Sequence, residues 1–109
     1  MANTFKLKTK ANVGVTTVGI YTAPAATTTV VIGITLANTS GSGVNVGVGI
    51  TRAGTTEDVK LLKNAPIPQG SSLEFMAGNK IVLEPTDTVT VDSDTNNSID
   101  AALTIMEIT

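Results

Sequence analysis

Apolar and polar side chains alternate with a period of two along most of this chain. In "VNVGVGIT", Val44, Val46, Val48 and Ile50 share one side and Asn45, Gly47, Gly49 and Thr51 the other. In "TTTVVIGITLA", Val30, Ile32, Ile34 and Leu36 alternate with Thr29, Val31, Gly33, Thr35 and Ala37. Side chains of a strand point alternately to opposite faces, so this pattern predicts half-buried β-strands. The supply of Val, Ile and Thr suits a pleated, half-buried surface. No window shows an apolar stripe at helical spacing. Clusters of Gly, Pro, Asn, Asp and Ser punctuate the strands every 8–12 residues or so. The predicted strands are 4–9, 13–22, 28–37, 44–52, 57–63, 71–76, 80–84, 87–92 and 98–108. They predict an all-β chain with one domain over 1–109. It is an antiparallel β-sandwich, jelly-roll or immunoglobulin-like, of about eight to nine short strands. A lysine-bearing N-terminal strand or arm covers about residues 1–10. Alternation leaves the strand order open.

The same alternation nominates a core. Val18, Ile20, Val30, Ile32, Ile34, Leu36, Val44, Val46, Val48 and Ile50 are expected inside. Val59, Leu61, Leu73, Phe75, Ile81, Leu83, Val89, Val91, Ala101, Leu103 and Ile105 are expected to join them. Val31, Leu62, Met76, Val82, Met106 and Ile108 fall on the opposite faces. If clustered there, they mark an interface, because large exposed apolar patches are uncommon on monomers. Val13 and Val15 are out of phase with Val18 and Ile20. A bulge near Thr16 and Thr17, or a break into two strands, would bring both pairs to the core.

Charge changes this picture. Charged residues make up 15% of the chain, yet none occurs over residues 11–51. Thr, Asn and Gly interrupt that stretch throughout, whereas a membrane-spanning helix needs roughly 18 unbroken apolar residues. The start "MANTFKLKTK" has no apolar segment after its charges, so no secretory signal is expected and synthesis in the cytoplasm is. Lys6, Lys8, Lys10 and Arg52 are the only charges in residues 1–52; Lys60, Lys63, Lys80 and all nine acids follow. The formal net charge is −2 and the pI near 4.8, which argues against nucleic acid as a partner.

Candidate chemistry is sparse. Without cysteine or histidine there is no disulfide, no thiol nucleophile and no imidazole base or ligand. Aromatics are 3% of residues, too few for base- or sugar-stacking platforms. Asp92, Asp94 and Asn96 resemble the opening of a calcium loop. The Gly and Glu that such a loop needs are replaced by Asn97 and Leu103. The same residues also suit a plain tight turn. No pair of carboxylates stands out for a hydrolase, and Lys60, Lys63 and Lys80 are expected exposed rather than paired with a serine. The segment 64–70, with Pro66 and Pro68, is expected to be a stiff extended connector. The expectation is therefore a non-enzyme with no catalytic, cofactor-binding or metal residue, no cofactor and no membrane partner.

Four stretches carry a family resemblance: "YTAP" at 21–24, "TLAN" at 35–38, "KNAPIPQG" at 63–70 and "EIT" at 107–109. Together they resemble small β-sandwich virion structural proteins of tailed bacteriophages, particularly marine and freshwater phages, including cyanophages. The resemblance covers nearly the whole chain and supplies no functional residue. It implies a head decoration or cement protein that oligomerises, with a homotrimer as first expectation, and stabilises the capsid. The implied partners are further copies of itself and the major capsid protein or other virion proteins. Its place would be the virion, after synthesis in the bacterial host cytoplasm. The alternative is a neck, tail or fibre component, or a host-surface adhesin module using the loops at 38–43, 53–57 and 92–98.

Overall fold

A computed structural model describes residues 3–53, 57–75 and 80–109, with the side chain of Phe75 left out. The expected placements of Phe75 and Met76, and the turn residues 54–56 and 77–79, lie outside the described groups. Nine strands are found among the described residues: β1 (Asn3–Val13), β2 (Val18–Thr22), β3 (Thr28–Asn38), β4 (Val44–Arg52), β5 (Glu57–Ile67), β6 (Ser72–Phe75), β7 (Ile81–Leu83), β8 (Thr88–Ser93) and β9 (Ile99–Ile108).

The strands form two antiparallel sheets. One has the order β1-β9-β3-β6, with β7 following β6 along the same edge of β3; the other has the order β2-β8-β4-β5. The pairings are nested: β1 with β9, β2 with β8, β3 with β6 and β7, β4 with β5. A long hairpin rolled over itself produces this order, and it is the jelly roll. Turns 14–17, 39–43, 68–71 and 94–98 gather at one end. The amide of Ser93 bonds the carbonyl of Gly14, that of Thr39 bonds Ser98, and that of Asn38 bonds Ser71.

Inward phases follow the alternation where a strand runs unbroken. Ile99, Ala101, Leu103 and Ile105 of β9 are buried, as are Val89 and Val91 of β8 and Val44, Val46, Val48 and Ile50 of β4. The strand β3 departs from the expected phase. Its pairing with β9 moves two residues from Val31 to Gly33 while β9 moves one, from Ile105 to Thr104. Ile32 is the extra residue, so the strand changes phase there. Val31 is therefore buried, and Val30 and Ile32, expected inside, are only half-buried.

Other differences have equally local causes. The chain does break between Val13 and Val18: Val13 reaches the core, while Val15 is left 55% exposed in the connecting turn. A register shift in β2 between Gly19 and Tyr21 makes Tyr21 its buried residue, with Val18 and Ile20 half-buried beside the core. Val59 faces the same side as its partner Ile50, but on an edge strand, and is 41% exposed. Leu62, expected on the outer face, packs half-buried against the core together with Leu61, because β5 is irregular on both sides of it. The proline segment is not a free connector. β5 continues to Ile67, with Pro66 opposite Asn45 on an edge strand, where a missing N–H costs no ladder bond. Only the turn after it remains, closed by Ser71 N–H to Pro68 O at 3.2 Å, with Gly70 at φ +73°.

Candidate functional site

Alternation along β9 carries Glu107 inward in phase with Ile105, so a carboxylate sits at the rim of the core, 7% exposed. Three groups meet it. Tyr21 donates its hydroxyl proton to Glu107 Oε2 at 2.7 Å, and Lys6 Nζ lies 2.9 Å from Oε1. Since the tyrosine proton is committed, Thr29 donates to the Tyr21 oxygen, at 2.8 Å. The Tyr21 hydroxyl and Lys6 hold the Glu107 carboxyl below its usual range, against the opposing effect of burial. Burial, more than the neighbouring carboxylate, pushes Tyr21 up to about 12. The arrangement binds β1, β2, β3 and β9 together at one place. The period-two count along 99–107 could have flagged Glu107; the sequence reading missed it.

The acid-rich turn is engaged within the chain. Asp92 accepts from the Thr17 hydroxyl at 3.1 Å. Asp94 Oδ1 accepts from the Asn45 amide and the Thr95 hydroxyl, both at 3.1 Å. Asn97 takes φ 51°, as turn asparagines do. Among the described residues no group of three or more Asp and Glu side chains converges. Of the three loops named for recognition, 38–43 and 92–98 share one end of the sandwich, and residues 54–56 of the third lie outside the described ones. The first loop is tied down by Asn38, whose amide donates to Ser42 O at 2.8 Å and Ile67 O at 3.0 Å. At the other end Arg52 pairs with Glu84 and places Nε 3.0 Å from Asp87 Oδ2. Lys60, Lys63 and Lys80 are exposed, as expected.

What remains is surface, and the two outer faces differ sharply. Residues opposite one another on antiparallel strands share a face. On the first sheet the register lines up Phe5, Met106, Val30 and Val82 as one apolar row across β1, β9, β3 and β7. Phe5 is 70% exposed, Val82 59%, and Leu7, in the neighbouring row, 64%. Beside the row lies a depression lined by Ile32, Gly33, Thr35, Ala102 and Thr104, with the carboxylate-bearing Glu74 in its wall. On the second sheet the corresponding row is Thr22, Thr88, Thr51 and Asp58. Its members bond to one another: Thr22 to Thr88 at 2.9 Å and Thr51 to Asp58 at 3.0 Å. Val82, Met106 and Ile108 thus occupy the outer positions expected of them, and they do cluster. Phe5 and Leu7, which complete the patch, were not singled out from the sequence.

No protein-family model and no curated protein matches the chain. Solved structures do. A subunit described under "Bacillus endospore appendages form a novel family of disulfide-linked pili" superposes with a TM-score of 0.60 at 16% identity, over 99% of this chain and 87% of that one. The infectious bursal disease virus Gx strain structure gives 0.57 at 14% identity, over 95% of this chain and 33% of that one. The VP2 subviral particle of the same virus gives 0.50 at 10% identity, over 96% and 36%. The chain therefore spans about a third of each virus protein and most of the pilus subunit. At these identities the likeness is one of fold.

Proposed function

We propose that this chain is a non-enzymatic structural subunit of a virus particle, one that associates with itself and with the shell. The observation that carries the reading is the outer face of the first sheet. It is a nearly charge-free apolar surface on a fold that already closes its own core. The buried Tyr21, Thr29, Asn38 and Glu107 are engaged within the chain. Proteins of pilus and virus particle share its two-sheet fold, which supports the reading.

The specific form we propose is a head decoration or cement protein of a tailed phage, held on the virion by the major capsid protein and by its own copies, with a trimer as the arrangement the family resemblance implies. One domain, with β1 as its lysine-bearing arm, suffices for that role. Lys6 is paired internally with Glu107, so electrostatic contact with a shell would fall to Lys8 and Lys10. Gold-labelled antibody against the native chain, imaged on intact virions, tests the proposal. Label spread over heads is the expected result. Label confined to necks, tails or fibres transfers the chain to those parts, and the absence of label overturns the reading. Lys8→Glu with Lys10→Glu is expected to weaken binding to heads; unchanged binding removes the electrostatic component.

A further inference from the structure

We infer that the outer face of the first sheet is covered by the same face of a second copy, sheet against sheet about a two-fold axis. This rests on the subunit reading above and names the partner of that surface.

Three features select a second copy. First, charge. The rows that cross the middle of this face hold Phe5, Met106, Val30 and Val82, then Leu7, Thr104 and Gly33. Glu74, on the edge strand β6, lines the hollow beside these rows, and Asp100 stands near one end of β9. A two-fold axis through the apolar rows sets Phe5 and Leu7 of one copy, and not a second Glu74, against the hollow of the other, so no like-charged pair, which would cost several kcal/mol, is buried. The second sheet fails this test, since Asp58, Lys60 and Asp92 stand on its outer face. The free edge of β1 fails it too. Lys6, Lys8 and Lys10 share one side of the strand, and a two-fold pairing of β1 with its copy would set them against each other.

Second, shape. Phe5 and Leu7 project at one side of the face. A side chain added at Gly33 would meet nothing within 4 Å, so a hollow lies alongside. A surface carrying both a knob and a hollow can complement itself across a two-fold axis.

Third, area. β1, β3 and β9 are ten or eleven residues long. With β6 and β7 completing the sheet, strands about 4.8 Å apart and about 3.3 Å per residue give a footprint of roughly 600 Å² per copy. Two footprints reach roughly 1,200 Å², where specific protein interfaces begin. Packed sheets about 10 Å apart form such layers routinely.

The pairing makes the assembly even-numbered: two trimers joined face to face, a hexamer, where the three-fold contacts of the subunit reading run through other surfaces, and a dimer where those contacts do not form. The test is the mass of the purified full chain, without other particle proteins, by light scattering and sedimentation equilibrium. The expected mass is an even multiple of 11.1 kDa. Phe5→Lys with Val82→Lys is expected to halve it and to raise the dissociation constant at least about 100-fold. Both side chains are largely exposed, so the monomer should keep its fold, checked by circular dichroism; if it does not, Thr104→Lys on the same face replaces them. Val15→Lys, exposed but in the β1–β2 turn, is expected to leave the mass unchanged. A wild-type monomer, an odd-numbered assembly, or a mass indifferent to the face substitutions overturns the inference. A monomer that still labels virions overturns this pairing and leaves the subunit reading intact. An even-numbered assembly absent from virions does the reverse.

Discussion

The two sheets share a core and differ on their outsides. Across the second sheet, Thr22, Thr88, Thr51 and Asp58 form a row of hydroxyls ending in a carboxylate, a surface at home in water. Across the first, Phe5, Met106, Val30 and Val82 occupy the corresponding row. The contrast originates in the edge strand. On β1 the lysines take the side that would normally turn toward the core, and the large apolar residues take the outside. Only Val13 at its end is buried. An edge strand with inward charge resists pairing with another edge, so β1 protects its edge while offering its face. Glu107 completes the reversal by meeting Lys6 on the inner side. One face of a period-two fold can thus be prepared for a partner by moving a strand's charges to the other face.

The largest expected effect tests what the two faces have in common. Leu103, fully buried, sits between the sheets. Leu103→Ala should cost about 2–5 kcal/mol in urea unfolding and weaken both faces alike. A cost below about 1 kcal/mol would mean that the sheets do not depend on a shared core.

Next comes the network that holds the reversed charges. Tyr21→Phe removes a donor from a buried carboxylate and should cost about 1.5–3 kcal/mol at neutral pH. The pH dependence has two limbs. Glu107 has a folded pKa below its unfolded one, so its contribution is complete above the ordinary carboxylate range and is lost as pH falls through the depressed value. Tyr21 has its pKa raised from 10.0 to about 12, so its contribution is complete below 10.0 and is lost as pH rises toward 12. Wild-type stability should therefore be flat from weakly acidic to weakly alkaline pH and fall on both sides. Tyr21→Phe should flatten the alkaline limb. Thermal melts across pH decide this; an unchanged alkaline limb would show that burial of the tyrosine does not govern it.

Glycines on the two faces sharpen the contrast at smaller scale. On the second sheet, a Cβ at Gly49 would lie 2.9 Å from the carbonyl oxygen of Val59 and 3.2 Å from the Thr90 hydroxyl. Gly49→Ala must move backbone and should cost about 1–3 kcal/mol. On the first sheet, Gly33→Ala meets nothing. It should leave the fold's stability within about 1 kcal/mol of wild type or raise it, while shallowing the hollow. Equal costs at the two positions would contradict the open hollow on the first face. The smallest effect is expected from Thr90→Lys on the second face: less than about 0.5 kcal/mol in unfolding and no change in assembly mass.

Much of the fold was legible because alternation is a local property. The β4 phase from Val44 to Ile50, the β9 phase from Ala101 to Ile105 and most strand boundaries can be read from neighbours in sequence, whereas the end of β1, the start of β2 and the end of β5 lie four or five residues from the expected positions. The break after Val13 was visible for the same reason, as a clash of phases. Where reading failed, a single residue had moved the register. Ile32 as a bulge exchanged the places of Val30 and Val31, and no local signal distinguishes a strand that continues from one that slips by one. The edge position of β5, which exposes Val59 and accommodates Pro66, depends on which strands lie beside it. That is a non-local fact.

The site divides in the same way. The sequence alone determined that this chain has strands, a charge-free stretch over residues 11–51, almost no reactive chemistry, and outward positions for Val82, Met106 and Ile108. Side-chain types and their period are sufficient for each of these. Only the tertiary structure decided that the ribbon rolls with β1 against β9. That pairing sets Phe5 beside Met106 and Lys6 near Glu107; the pairings of β3 with β9 and β7 extend the row through Val30 to Val82, and packing of the second sheet brings Tyr21 to Glu107. A strand's period says which residues share a face of that strand. The register between strands, set by burial of both inner faces at once, says which residues share a surface of the protein.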